Sequence, residues 1–362
     1  MQGRPVENRE EGGAMGGIRV GVIGCGYWGP NLIRNFVEIT SADLVGVADL
    51  SAARLARIKT LYPAVAVTED YRDLIEMRLD AVVIATPPPS HFPIARDCLL
   101  HGLHVMVEKP FTLSSRHARD LIEIAEARNL VLMVGHTFLY NCAVQTLKEI
   151  VDSGDLGDIY YVDAARLSLG LFQPSLNVLW DLAPHDISIV LYLLGTSPVA
   201  VSAHGMACVF GGLHDVVYVN MEMPGGILAH VHVSWLDPCK VRRITVVGSK
   251  KMVVFNDVET LEKIKIYDRG VDAPPYTETY GEFQCSYRYG NVLIPRVPAG
   301  EPLRLECQHF LECIETGDQP RSSGIEGLKV VEILEDADRS LRNGAACELP
   351  LTEGHCEPAI AS

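Results

Sequence analysis

The chain has 362 residues, enough for two domains with well-buried cores. Hydrophobic residues make up 48% and charged residues 21%, and no apolar run approaches a membrane span, so the profile is that of a soluble globular protein. Lys and Arg total 31 against 46 Asp and Glu, and the net charge of −15 argues against nucleic acid or an anionic membrane surface as partner.

Residues 1–17 are rich in Gly, Glu and Arg, lack periodicity and read as a disordered tail. No signal peptide is evident, and the 10 cysteines show neither C-x-x-C nor zinc-type spacing. Reduced thiols in a cytoplasm are therefore expected, and no metal site. The fold is expected to begin at Ile18, with the strand that ends in VGVIGCGYWG (Val20 to Gly29). Gly24, Gly26 and Gly29 have the spacing G-x-G-x-x-G, with Tyr27 and Trp28 between the last two. Such a turn lets a pyrophosphate approach backbone N–H groups at the positive end of a helix. A helix over 30–39 follows, then the apolar run LVGVAD, which ends on Asp49. A carboxylate there meets the adenosine ribose hydroxyls and favours NAD over NADP, although a strand-end Asp also serves as a helix N-cap.

Further helices are expected over 52–61 and 70–77, with a short strand over 65–68. DAVVIAT (80–86) is a strand apolar enough to be buried on both faces, and it runs into Pro87, Pro88 and Pro89. Those prolines make either a rigid turn or a stiff loop against a flat ring. A helix over 91–102 leads to the strand HVMVE (104–108), which delivers Glu108 and Lys109 to the same carboxyl edge as the glycine loop. A helix over 113–128 and a strand over 130–135 complete six parallel strands. Residues 18–137 are thus expected to form a doubly wound Rossmann domain. Thr86, Pro87, Pro88, His91, Glu108 and Lys109 join the glycine loop and Asp49 as candidate cofactor contacts.

After a connecting helix over 138–153 the pattern changes. Runs at 159–169, 199–210, 215–222, 227–236, 242–248 and 252–256 read as strands of one broad, open, mostly antiparallel sheet. Amphipathic helices are expected over 303–316 and 326–343. Residues 138–351 then form a second α/β domain, with a disordered tail over 352–362. An uncovered apolar sheet face must be buried somewhere, so a homodimer or homotetramer is expected.

The segment NVLWDLAPHDISIVLYLL (177–194) becomes helical near Asp181, with Pro184 tolerated in the first turn. Asp181 and His185 lie four residues apart on one face, where the carboxylate can hold the imidazole and favour its protonated form. A group titrating near neutrality could take a hydroxyl proton as hydride leaves the carbon, with Lys109 beside the developing alkoxide. The bland alternative makes Asp181 an N-cap and His185 an ordinary helix residue. The basic cluster Lys240, Arg242 and Arg243 is either a solvated edge or subunit contact, or a site for a substrate pyrophosphate. Arg166 and Asn177 flank the expected site as candidate substrate contacts. His230 and His232 share a strand face without a carboxylate or cysteine at metal-ligand spacing.

The glycine loop, ATPPPSH (85–91), EKP (108–110) and the D-x-x-x-H of Asp181 and His185 together resemble the glucose–fructose oxidoreductase, inositol dehydrogenase and MocA (Gfo/Idh/MocA) family. The similarity runs from Ile18 to about Leu349. It implies an oxidoreductase in which Lys109, Asp181 and His185 form the catalytic set. GYWGPNLIRNF (26–36), GHTFLYN (135–141), WDLAPHD (180–186) and KVRRITVVGSKK (240–251) most resemble the family's nucleotide-sugar branch. Its characterised type oxidises the C3 hydroxyl of UDP-N-acetylglucosaminuronate before transamination. Cys142 stands where the pattern has proline, and relatives that reduce keto sugars usually carry tyrosine in place of His185. The resemblance leaves open a keto-sugar reductase, a cyclitol dehydrogenase and a catalytically silent NAD-binding regulator.

Overall fold

The computed structural model describes residues 17–173, 176–272, 285–344 and 347–348. The expected tails, apart from Gly17, lie outside them. Six parallel strands form the first sheet: β1 (Ile18–Ile23), β2 (Ala42–Ala48), β3 (Ala66–Thr68), β4 (Ala81–Ile84), β5 (His104–Glu108) and β6 (Leu132–Gly135). Their order is β3-β2-β1-β4-β5-β6, so the chain reverses direction across the sheet between β1 and β4. In a doubly wound sheet that reversal opens a crevice at the carboxyl edge, where dinucleotides bind. Helices α1 (Gly29–Glu38), α2 (Ala52–Leu61), α3 (Tyr71–Glu76), α4 (His91–Leu100) and α5 (Ser115–Ala127) link the strands. All four residues of β4 are fully buried, and Leu32, Ile33 and Phe36 of α1 are equally enclosed. Coverage on both faces explains why these strands read as continuous apolar runs.

Helix α6 (Cys142–Asp152) leads into a sheet of nine strands. These are β7 (Ile159–Leu167), β8 (Ala200–Met206), β9 (Val216–Glu222), β10 (Leu228–Ser234), β11 (Val241–Gly248), β12 (Met252–Asn256), β13 (Ile264–Asp272), β14 (Ser286–Leu293) and β15 (Cys347–Glu348). Their order is β14-β13-β12-β11-β7-β10-β9-β8-β15. The sheet is mostly antiparallel, as expected, and contains one parallel pair, β10 with β7. Helix α7 (Val178–Leu194) carries the chain across the sheet, so the β8, β9, β10 meander returns with β10 aligned along β7. One face of this sheet is covered by α7 and α9 (Gly324–Asn343), with α8 (Pro302–Thr316) bridging towards α1. Val162, Val217, Val231 and Val246 pack on that inner face, whereas Tyr161, Tyr218 and Leu228 of the outer face are exposed.

Helix α7 begins earlier than its sequence suggests. The Asn177 side chain accepts the Trp180 N–H at 3.2 Å and acts as the N-cap, which places Asp181 in the first turn. Pro184 therefore lies inside the helix rather than in its first turn, and it offers no N–H to the Trp180 carbonyl.

Candidate active site

The three glycines of the loop have three different surroundings. Gly24 has φ +96°, and a Cβ there would lie 2.7 Å from the Ala85 carbonyl carbon and oxygen. At Gly29 a Cβ would fall 2.1 Å from the Gly24 carbonyl oxygen. At Gly26 the only neighbour within 4 Å is the Arg54 guanidinium, at 3.8 Å. Gly24 and Gly29 are thus demanded by the turn itself. Gly26 presents bare backbone to open space, as a pyrophosphate cradle at a helix N-terminus requires. Tyr27 is almost fully exposed beside it, and Trp28 is about one-third exposed.

Asp49 follows β2, and its carboxylate accepts the Cys25 N–H at 2.8 Å and the Ser51 N–H at 2.9 Å. Burial raises its pKa, but those two hydrogen bonds and the Arg54 guanidinium at 3.6 Å outweigh burial and hold the carboxyl below its ordinary range. Asp49 therefore fixes the loop while standing at the edge where a ribose would lie.

At the end of β4 the Thr86 hydroxyl accepts the Ser90 O–H at 2.8 Å, and Pro88–Ser90 forms a single tight turn. His91, an expected cofactor contact, is turned into the protein. Its ring is buried, and its two nitrogens lie 2.9 Å from the Pro110 carbonyl and 2.7 Å from the Thr86 carbonyl. His91 lies between the loop after β4 and the loop after β5, and its ring, which burial holds neutral, has one N–H to donate to one of those two carbonyls.

Lys109 leaves the end of β5 and crosses to α7. Its Nζ donates to the Asp181 carbonyl at 2.7 Å and lies 3.4 Å from Asp181 Oδ1. Asp181 Oδ2 accepts the Trp235 indole N–H at 3.1 Å. The expected Asp181–His185 contact is not made, because the carboxylate is turned towards Lys109 and Trp235. His185 instead meets the Phe138 ring edge-on at 5.0 Å, and its enclosed Nδ1 has no hydrogen-bond partner. Burial, and then the positive charges of Lys109, Arg166 and Arg242, hold the imidazole well below its usual pKa. His185 is consequently neutral at neutral pH, opposite to the protonated form expected from its spacing with Asp181.

Both expected substrate contacts have partners within the chain. Arg166 is buried, and its guanidinium grips Asp186 in two-pronged fashion, with Nε to Oδ2 at 2.6 Å and Nη2 to Oδ1 at 3.0 Å. It also lies 4.3 Å from the Phe138 ring centre, so it braces the aromatic ring against which His185 rests. Asn177 is the α7 cap and its amide reaches Asp338, which makes it a helix-start residue. Of the basic cluster, Arg242 faces inward over Phe138, whereas Lys240 and Arg243 are exposed.

Glu108, the residue before Lys109, is buried with Oε1 unpartnered, and Trp28 lies against its carboxyl group. Burial pushes its pKa up against the opposing pull of Lys109. Glu306 on α8 is also buried and raised, first by burial and then by the charge of Glu108, while its Oε2 accepts the Thr137 O–H at 2.7 Å. His136 is enclosed with both ring nitrogens unpartnered, and burial and Lys109 hold it down at about 4. Sequence reasoning missed Trp235, Phe138, His136 and Glu306. Only position could have found the first three, since each sits just past a strand end. Among the described residues no group of His, Cys, Asp and Glu could hold a metal ion, and no helix is long and apolar enough to cross a membrane.

A glycine cradle at the switch point of a parallel sheet, facing a lysine, a carboxylate and a neutral histidine, defines an NAD-binding oxidoreductase. The chain belongs to the Gfo/Idh/MocA family: residues 18–136 match its oxidoreductase model with an NAD-binding Rossmann fold, and residues 144–254 match its C-terminal domain model. It is 32% identical over 267 residues to the UDP-N-acetylglucosamine 3-dehydrogenase of Acidithiobacillus ferrooxidans, spanning 71% of this chain and 79% of that protein. A solved structure of the Acidithiobacillus enzyme superposes with a TM-score of 0.74 at 26% identity, over 90% of this chain and 97% of the other. The scyllo-inositol 2-dehydrogenase (NAD(+)) of Bacillus subtilis is 25% identical over 355 residues, 93% of this chain and 98% of the relative.

Proposed function

We propose that this protein is an NAD-dependent sugar dehydrogenase that oxidises a ring hydroxyl, C3 of a nucleotide-linked sugar, with Lys109, Asp181 and His185 as its catalytic residues. The observation that carries this reading is the crossing of Lys109 from the cofactor sheet to the first turn of α7, one turn before His185. His185 is held neutral, so it can accept the hydroxyl proton as a general base. The ammonium of Lys109 supplies positive charge beside the oxygen that becomes anionic, and Asp181, fixed by the Trp235 indole, orients that ammonium. Bound at the glycine loop, the nicotinamide cofactor would accept the hydride.

The name of the Acidithiobacillus relative supports a nucleotide sugar and carbon 3. The wider coverage of the inositol dehydrogenase supports a second reading, a cyclitol dehydrogenase. NAD is favoured over NADP because Asp49 is ionised at the ribose edge, where a 2′-phosphate would meet like charge, and Asp49 already engages Arg54. The exposed Tyr161, Tyr218 and Leu228 on the outer sheet face support burial against a second copy as a homo-oligomer, which sedimentation would reveal.

The deciding experiment follows absorbance at the reduced-nicotinamide band with NAD and, in turn, UDP-N-acetylglucosamine, UDP-N-acetylglucosaminuronate, glucose and inositol. A rise with a nucleotide sugar alone supports the first reading. A rise with inositol alone supports the second. No rise with any, while NAD binds, removes both.

A further inference from the structure

The inner face of the large sheet carries a charge imbalance beside His185. Strands β7 and β11 pair antiparallel with Arg166 directly opposite Arg242, so both side chains leave the sheet on the face covered by α7. The buried neighbours Ile244 and Val246 confirm that direction for β11. Like charges placed directly opposite across a ladder are unfavourable unless each finds a counter-charge. Arg166 finds one in the two-pronged grip of Asp186.

Arg242 does not find an equal partner. Its Nη1 lies 3.5 Å from Asp257 Oδ2, at the limit of a hydrogen bond. That carboxylate is already committed: its Oδ1 accepts Lys263 Nζ at 3.0 Å and the Asn141 amide at 3.2 Å. One carboxylate thus serves two cations, and the Arg242 side chain remains 37% exposed. Its guanidinium stands 6.0 Å from the Phe138 ring centre, and the same ring meets His185 edge-on. A single aromatic ring therefore separates a half-paired guanidinium from the proposed base, in a chain whose net charge is −15.

We propose that Arg242 is the docking point for an anionic oxygen group on the substrate, either a carboxylate on the sugar ring or a phosphate joined to it. A guanidinium offers forked donors that match either group in two-pronged fashion. Such an anion supplies the counter-charge that Asp257 shares out, and it is held beside Phe138 while the sugar ring lies towards His185. This assignment rests on the sugar-dehydrogenase reading and names the substrate class that the reading leaves open.

The test compares wild type with Arg242→Gln and Arg242→Lys on UDP-N-acetylglucosaminuronate, UDP-N-acetylglucosamine, free glucuronate and free N-acetylglucosamine. For Arg242→Gln, the KM for the anionic substrates relative to the neutral one should rise about 10- to 100-fold, the size expected for losing a charge-assisted hydrogen-bonded contact. Arg242→Lys should recover part of that ratio. A loss confined to the two uronates assigns the ring carboxylate; a loss confined to the two UDP sugars assigns the phosphate. An unchanged ratio, or an equal rise for all four compounds, overturns the proposal. If no sugar reduces NAD, calorimetric titration of UDP and glucuronate still decides it. Binding to wild type but not to Arg242→Gln keeps the anion site while the dehydrogenase reading falls; equal binding to both proteins, or to neither, removes the site as well.

Discussion

Replacing Asp186 with Asn strips the charge from the brace behind His185 while leaving its shape. Arg166 and Asp186 are 5% and 2% exposed, joined at 2.6 and 3.0 Å. In the Asp186→Asn variant the Arg166 guanidinium stays buried, faces Arg242 across the ladder and keeps one neutral acceptor. Breaking a buried pair by removing one partner costs about 3–5 kcal/mol, because an uncompensated charge is left inside. The third tryptophan, Trp28, lies in the glycine loop, while Trp180 and Trp235 are buried beside the large sheet. In a Trp28→Phe background, intrinsic fluorescence during urea unfolding therefore reports on that part of the molecule. The midpoint should fall by about 1–5 M, taking a urea dependence of about 1–3 kcal/mol per molar. Arg166→Met combined with Asp186→Leu should regain most of the loss, since an apolar pair of similar volume replaces a buried ion pair at little cost. A loss below about 1 kcal/mol for Asp186→Asn, or a double variant as unstable as the two singles combined, would refute this account of the brace.

His185→Asn should lower kcat by about 100- to 10,000-fold while leaving NAD affinity near that of wild type, read by steady-state kinetics and cofactor titration. Because burial and three nearby cations depress the His185 pKa, the acid limb of the kcat/KM profile for oxidation should lie below the ordinary histidine value of 6.5; a limb above that value would exclude a neutral His185 as the base. Glu108 has a folded pKa raised above its ordinary 4.5, so it contributes stability that is complete below that value and is lost as pH rises towards neutrality. Glu108→Gln should accordingly match wild type near pH 4.5 and exceed it at pH 8 by on the order of 3 kcal/mol in urea titrations, a difference that vanishes if the buried carboxyl ionises without cost. Gly26→Ala should fold normally and bind NAD at least tenfold more weakly, whereas Gly29→Ala should lose thermal stability, since only the second Cβ collides with backbone; comparable melting temperatures for the two variants would contradict the separate roles of these glycines.

The Rossmann sheet was legible because its signals are local. Apolar strands, the glycine spacing and Asp49 each follow from covalent geometry or from burial on both faces. The large sheet was legible only where one face is buried. Strand β9 alternates between buried Val217, Val219 and Met221 and exposed Tyr218 and Asn220, so its period of two shows in the sequence. Strands β13 and β14 were not expected, and β14 shows why: it lies at the sheet edge and is exposed along almost its whole length, so nothing forces alternation on its residues. The parallel pairing of β10 was hidden for another reason. Pairing direction depends on where α7 carries the chain, which no periodicity within β10 records. The start of α7 was set by one side-chain bond from Asn177, and the same residue seen as sequence alone looked like a polar contact for a ligand.

The site itself was half legible, and the missing half changes its chemistry. Spacing placed Asp181 and His185 on one helix face, which suggested a charged imidazole held by a carboxylate. Their side chains have competing partners that spacing cannot show. Lys109 arrives from another sheet and Trp235 from the end of β10, and together they take the Asp181 carboxylate away from His185. His185 is left among Lys109, Arg166 and Arg242, whose charges disfavour its protonation. Such surroundings favour an anion in the cleft more than they favour an imidazolium. In the proposed reaction a proton taken up by His185 would therefore be held only weakly and would pass on readily. In the proposed reaction the same cations that keep the imidazole neutral would favour the developing alkoxide, so that one charge distribution would serve both steps.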